Sequence, residues 1–411
     1  MGTLKTEELR HSHIVQISSL LSSTECKKST KAINNRKSSL EVVHKHGPCF
    51  RSNQNRANAP FHEEILRQDQ SRVDSIHSRL SMNPMEEIDS ITLPTKKGIA
   101  VGTGNYLVTV RIGTPMKKYA LIFDTGSHFT WTQCEPCAGF CHDQVEPIFN
   151  PSKSKSYSNI SCRAQTCNQV SDEDVFPGYL FGCGQRNKFL TGNRVAGLIG
   201  LGRGNFSFVS QTAKKYNKIF SHCLPSDDSS VGYLSFGKTK LPKSIQFTPM
   251  SKSFQKTPFY GLDIIGINVA GKRVPIKSSV FTTAGAIIDS GTVITRLPPT
   301  AYAQLKSSFQ KWMTSYPRAP ALSILDTCYD FSNLSVITTP AVGIVFNGGV
   351  ELDIDFSGIF YMRNISQACL AFAANKDARD VAILGNVQQK TYEVVYDDVQ
   401  GRVGFAADGC S

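Results

Sequence analysis

Nothing in the 411 residues approaches the roughly 20 consecutive apolar positions that a membrane-spanning helix needs, which points to a soluble protein without a membrane span. The opening residues, MGTLKTEELRHSHIVQ, have no apolar h-region and do not read as a signal peptide. Met1-Gly2 followed by Thr6 meets only the loose N-myristoylation pattern. There is no H-E-x-x-H, no P-loop and no dinucleotide fingerprint, so the chain calls for no metal and no cofactor. Histidine is scarce in the body of the chain. Six of the nine histidines precede residue 78, and only His128, His142 and His222 follow. None stands in a G-x-S-x-G context, which leaves a serine triad without its base.

What is present favours β structure. Glycine (31) and proline (19) are frequent, and the apolar runs are short and β-branched. A chain of this length suits two lobes of moderate size plus an appendage. The net charge is +12, and eight basic residues against one acid (Glu41) lie between Lys27 and Arg56. That stretch reads as a solvated, poorly folded segment. A patch for polyanions such as DNA is the sharper alternative, but no aromatic interleaving or nucleic-acid motif supports it.

Twelve cysteines are many for this length. Cys134, Cys137, Cys141, Cys162 and Cys167 are spaced closely enough to suggest zinc, yet only His142 lies near them and no matched second pair follows. Disulfides formed in an oxidising compartment explain the cluster better, and Cys183, Cys223, Cys328, Cys369 and Cys410 extend the candidate set. The sequons at Asn159, Asn205, Asn333 and Asn364 are near the chance number.

Residues 1 to about 93 are polar and basic around one helical stretch, HEEILRQDQSRVDSIHSRL, where Ile65, Leu66, Val73, Ile76 and Leu80 keep an approximate helical period. From about residue 100 strands and turns take over. GNYLVTVRIGTP alternates and stops at Gly113 and Pro115, and YALIFDTGS is an apolar strand delivering an acidic turn. Later, FYGLDIIGINVAGKRVPI reads as a hairpin and GAIIDSGTVITRLP repeats the strand with an acidic turn. PPTAYAQLKSSFQKWMTSYP is a helix with Tyr302, Leu305, Phe309 and Trp312 on one face, and EVVYDDVQGRVGFA is a hairpin turning at Gln400-Gly401.

The two acidic turns carry the chemistry. They are Asp124-Thr125-Gly126-Ser127 and Asp289-Ser290-Gly291-Thr292, 165 residues apart. Each follows an apolar strand, and each is followed by an apolar-apolar-Gly element, Leu198-Ile199-Gly200 and Ile383-Leu384-Gly385. One such turn alone is an ordinary Asx turn. Two suit peptide hydrolysis by water, which needs one group to take a proton and another to give one. Two carboxylates about 3 Å apart cannot both ionise, so they share a proton and titrate as a unit. Gly126 and Gly291 permit the close approach, and Thr125, Ser127, Ser290 and Thr292 offer hydroxyls to hold the carboxylates.

The motifs GNYLVTVRIGTP, LIFDTGSHFTWTQCEPC, FGCGQRN, AGLIGLGRG, AIIDSGTVITRLPP, LDTCYDF, CLAFA and ILGNVQQKTYEVVYD, in that order, resemble the plant pepsin-family aspartic proteases of the nepenthesin-like and chloroplast nucleoid DNA-binding-protein-like group. The likeness covers roughly residues 35 to 411. It implies an all-β bilobal fold with the active site between two lobes, and an acid-acting endopeptidase whose catalytic residues are Asp124 and Asp289. It also implies a zymogen made for secretion to an extracellular or vacuolar site (a plastid is the variant), working as a monomer on polypeptide substrates. The implied parts are an N-terminal segment 1–34, a prosegment 35–95, and lobes 100–250 and 258–411. Cys134 to Cys167 correspond to a disulfide-rich insertion, and Cys328 with Cys369 to the usual disulfide of the second lobe.

The chain departs from this pattern in two places. Only 13 residues, NQVSDEDVFPGYL, separate Cys167 from Phe181, where relatives carry several dozen more, including the flap that folds over the peptide. His128 stands where relatives usually have an acid. A shortened gene model or splice form, a non-catalytic peptide- or glycan-binding relative, and a slow protease with an open cleft all account for the missing stretch. The first also fits the absent leader.

Overall fold

The computed structural model describes residues 11–20, 23–27, 38–50, 62–81, 106–159, 176, 178–187, 194–238, 241–407 and 409–410. Gly2, Thr6, Cys162, Cys167 and most of NQVSDEDVFPGYL lie outside them.

The strand Lys117–Asp124 is buried over its last six residues. It pairs antiparallel with Tyr106–Ile112 and parallel with Gly197–Gly200, which brings Asp124 level with Gly200. The second half repeats the device. Ala286–Ile288 pairs antiparallel with Tyr260–Leu262 and parallel with Ala382–Leu384. Strands enclosed on both faces must be apolar without alternation, which is why Leu121-Ile122-Phe123 and Ala286-Ile287-Ile288 are continuous apolar runs. Each ends in its acidic turn.

An eleven-stranded sheet joins the parts of the chain. The C-terminal hairpin of Glu393–Asp397 and Arg402–Ala406 pairs with Ile219–Cys223, so the chain's last strands lie in the sheet of its first half. Smaller sheets of five, four and four strands build the second half. The helix Pro299–Trp312 packs there through Tyr302, Leu305 and Phe309, with Met313 rather than the half-exposed Trp312 completing its buried face. The fold is mostly β and bilobal. Among the described residues no helix is long and apolar enough to cross a membrane.

The N-terminal segment corrects one expectation. Within the basic stretch, Ser39–His44 is an inner strand inserted between Val231–Phe236 and Tyr106–Ile112, with Val42 opposite both Gly232 and Val108. Val42, His44, Lys45 and Phe50 are buried. The alternation Leu40, Val42, His44 satisfies a half-apolar strand, and net charge conceals it. Burial pushes the Lys45 ammonium down to about 8. Residues 38–50 are therefore packed, not solvated, while the stretches 28–37 and 51–61 lie outside the described residues. Further upstream, Ser12–Gln16 pairs with Val336–Pro340 and covers that edge.

The cysteines pair as Cys134–Cys183, Cys137–Cys141, Cys223–Cys410 and Cys328–Cys369, together with Cys26–Cys49, a pair absent from the candidates read in the sequence. Cys328 and Cys369 face each other across neighbouring strands.

Candidate active site

The two acidic turns meet. The Thr125 amide donates to Ser290 Oγ at 3.1 Å and the Ser290 amide donates to Thr125 Oγ1 at 2.9 Å, a reciprocal exchange that locks the turns to each other. Within each turn the glycine amide and the hydroxyl at the fourth position hold the carboxylate. Asp124 accepts from Gly126 N at 2.9 Å and from Ser127 Oγ, and Asp289 accepts from Gly291 N at 3.0 Å and from Thr292 Oγ1 at 2.6 Å. The glycines are required by space. A Cβ on Gly126 would lie 2.5 Å from Asp289 Oδ1, and one on Gly291 would press on Asp124 Oδ1. Asn386, just after the second apolar-Gly element, donates to the Ser290 carbonyl at 3.0 Å.

The cleft over these carboxylates is filled. The helix His62–Ser81 lies across it, and its Arg72 reaches both acids. Arg72 Nη2 donates to Asp124 Oδ1 at 2.7 Å and to Asp289 Oδ1 at 3.1 Å, while Nε donates to Asp289 Oδ2 at 3.0 Å. The guanidinium is 2% exposed and both carboxylates are fully buried. The acids do not titrate alike. Burial raises the Asp124 carboxyl to about 6, with Arg72 opposing and Asp289 adding to the rise. For Asp289 burial also pushes upward, but Arg72 and the Thr292 hydroxyl outweigh it and the carboxyl is lowered. The protein thus drives apart the affinities of two neighbouring acids, the condition for dividing acid and base roles.

The helix is anchored at both ends of Arg72. Ile65 and Leu66 pack with Val293, Ile294, Leu322 and Leu325, whereas Val73 and Ile76 pack with Phe254, Phe259 and Ile287. Asp69 accepts from Val293 N and Ile294 N and pairs with Arg296. Arg79 lies over the Phe259 ring, 5.1 Å from its centre. His128 sits at the same cleft, lowered by burial and by the nearby Arg79 charge. Sequence reasoning singled out neither Arg72, Asp69 nor Arg296. A signal existed: between Leu66 and Val73 the apolar stripe skips its expected turn, and Asp69 and Arg72 occupy that face.

The stub of the shortened segment closes onto the first half. Phe176 and Tyr179 pack against Phe208, the Tyr179 hydroxyl bonds Thr130 Oγ1 at 2.6 Å, and the Gln211 side chain bonds both backbone groups of Leu180. Trp131 packs against the cluster containing Leu107, Ile122 and Phe50.

Mirrored acidic turns under a two-lobed β fold define the pepsin-like class. Comparisons narrow it. The family described as xylanase inhibitor C-terminal matches residues 259–407, and xylanase inhibitor N-terminal matches in two pieces, 106–174 and 169–238. An aspartyl protease family protein from Arabidopsis thaliana is 50% identical over 97% of this chain and 93% of its own length. That alignment runs over 445 positions against a chain of 411 residues, so the relative holds residues without counterparts here. Aspartic proteinase nepenthesin-2 from Nepenthes gracilis is 32% identical over 76% of this chain and 79% of its own. The crystal structure of basic 7S globulin from soybean superposes with a TM-score of 0.56 at 17% identity, covering 73% of this chain and 92% of the globulin, a likeness of fold. The chain belongs to the plant pepsin-like aspartic protease family.

Proposed function

We propose that the chain is the precursor of an aspartic endopeptidase, with Asp124 and Asp289 as its catalytic carboxylates and residues 35–95 as a prosegment that keeps the cleft shut. The observation that carries this reading is the position of Arg72, whose guanidinium fills the space between the two carboxylates where an attacking water and a scissile carbonyl would have to lie. A cation there lets both acids ionise, whereas hydrolysis needs them to share one proton. Once the helix leaves, burial and mutual repulsion return the pair to its shared-proton state, one carboxyl acting as base towards water and the other as acid towards the carbonyl oxygen. The five disulfides fit an oxidising, secretory or extracellular setting, and the substrates are polypeptides met by a monomer.

A second reading, binding of a peptide or glycan without turnover, draws on the two-piece match of the N-terminal family. The pieces meet at residues 169–174, where a flap over the peptide would be encoded. The experiment that separates the two is acidification of the full chain with an unfolded protein substrate, with and without pepstatin. The protease reading expects loss of the N-terminal segment, then cleavage that pepstatin blocks and that Asp124→Asn or Asp289→Asn reduces by at least about 1,000-fold. Folded, processed chain that binds pepstatin without cleaving anything would establish the second reading.

A further inference from the structure

Asp69 lies three residues before Arg72 on the same helix face and accepts hydrogen bonds from the strand that follows the second acidic turn. Its Oδ1 accepts from Val293 N at 2.6 Å, and its Oδ2 accepts from Ile294 N at 3.3 Å and from Arg296 Nη2 at 2.9 Å. Val293 directly follows Asp289-Ser290-Gly291-Thr292, so these donors line the cleft itself. The Arg296 side chain is 1% exposed. Its Nη1 donates to the Ile294 carbonyl at 2.8 Å, its Nη2 lies 3.5 Å from Gln70 Oε1, and its Nε is buried with no acceptor. Among the described residues, its one ion pair is with Asp69.

When the helix leaves, a substrate takes its place and this corner of the cleft presents two amides and a guanidinium, all donors. Amides are satisfied by a substrate carbonyl or by water. A guanidinium buried to 1% exposure selects a carboxylate, because a neutral partner leaves its charge uncompensated away from water. We infer that Arg296 is a specificity-determining residue that selects substrates carrying Asp or Glu near the scissile bond. This rests on the protease reading above. Three helical residues advance about 4.5 Å and an extended peptide covers about 3.3 Å per residue. The acidic position therefore lies within about three residues of the bond cleaved, with apolar neighbours where Ile65 and Leu66 now sit.

The test uses the acid-processed full chain and hydroxyl-containing transition-state-mimicking peptides in which Asp, Glu, Asn or Gln is scanned over three positions on each side of the hydroxyl unit. Dissociation constants are measured by calorimetry at about pH 5.5, where a free carboxyl is ionised. At one position the acid is expected to bind on the order of 10- to 100-fold more tightly than its amide. In Arg296→Gln the advantage disappears while the amide peptides bind as before. Arg296→Lys keeps part of it, and in the parent it fades by about pH 3 as the peptide's own carboxyl protonates. A residue with only a structural role would not produce that pH dependence, and pepstatin affinity checks that each variant is folded. Should Arg296→Gln fail to fold, Arg296→Lys and the pH profile of the parent decide. Equal affinity for acid and amide at every position in the parent overturns the inference and leaves the protease reading standing. A parent that binds none of the peptides overturns both.

Discussion

The guanidinium of Arg72 stands 2.7 Å from Asp124 and 3.0 Å from Asp289, and one cation thereby holds two acids that could not both be charged without it. Removing that charge while keeping the bulk, as in Arg72→Met, leaves two buried carboxyls facing each other. Breaking a buried pair of this kind costs about 3–5 kcal/mol when the remaining charge cannot be relieved. Here it can be relieved by a proton, because burial and like charge both raise the carboxyls once Arg72 is gone. The variant is therefore expected to melt well below the parent at pH 7.5 and much closer to it at pH 5. It should also take up one proton per molecule at neutral pH in a difference titration. An equal loss of melting temperature at both pH values would contradict this role for Arg72.

Acid should lift the N-terminal segment from the cleft, and the buried histidines set the direction. Burial lowers His44 to about 4, with Asp228 opposing and Lys390, Lys45 and His62 assisting. Burial, Lys45, His44 and His62 lower His46 to about 2. A base whose folded value lies below its free value resists docking once pH drops beneath the free value. Each histidine thus weakens the closed form by roughly 1.4 kcal/mol per pH unit, from 6.5 down to about 4 for His44 and further for His46. Asp124 and Asp289 act in the same direction, because both stay buried in the open cleft and both rise once the Arg72 charge that opposes their burial is gone. Hydrogen exchange of the His62–Ser81 helix should be slow at pH 7.5 and fast at pH 4.5. In a His44→Gln, His46→Gln double variant the midpoint should move down by about one unit. An unchanged midpoint would assign the opening to other groups.

The dyad was legible because its chemistry is written locally: an apolar strand, then Asp, a hydroxyl residue, Gly and a hydroxyl residue, twice. The hairpins at Ala270-Gly271 and Gln400-Gly401 were legible for the same reason, since a tight turn between two apolar runs needs little context. The contact of the helix with the dyad was hidden because Arg72 and Asp69 meet partners 217 and 224 residues away, and charge on a helix face reads as solvent-exposed unless something covers it. Ser39–His44 was hidden by composition, the surrounding lysines and arginines outweighing its alternation. The Cys26–Cys49 pair needs the path of a segment that carries no strong local pattern.

Space around the dyad yields a sharper mutational test than charge. A Cβ on Gly291 would press on Asp124 Oδ1 and stand 2.6 Å from Arg72 Nη2 and 2.7 Å from its Cζ. Asp124 cannot retreat without loosening its bond to the Gly126 amide, and the guanidinium cannot without lengthening its bonds to the two acids. Gly291→Ala should lower precursor stability by about 1–3 kcal/mol, the range for overpacking a tight interior. After processing it should lose at least about 100-fold in turnover, because the carboxylates are forced apart. Gly401→Ala is the control. It has open space around it, and its φ of +61° carries only the modest strain of a left-handed turn. Similar losses in both variants would mean that the close approach at Gly291 has no special role.

The N-terminal segment is fastened to the body by two strands, a helix and ion pairs, and among the described residues by no disulfide. Its two cysteines, Cys26 and Cys49, bond each other, and no other cysteine precedes Tyr106. Ser39–His44 contributes ladder hydrogen bonds on both sides and the helix contributes its apolar contacts and Arg72, so a single cut between Ser81 and Tyr106 should not release the segment at neutral pH. Gel filtration of nicked protein at pH 7.5 should give one peak containing both pieces, and at pH 4.5 two peaks, since the histidines beside the strand and the acids beneath Arg72 then favour the protonated, separated state. A denaturing gel run without reductant should resolve the pieces under either condition. A species of full mass that survives that gel but yields two fragments on reduction would show a disulfide crossing the cut and would rule out release by acid alone.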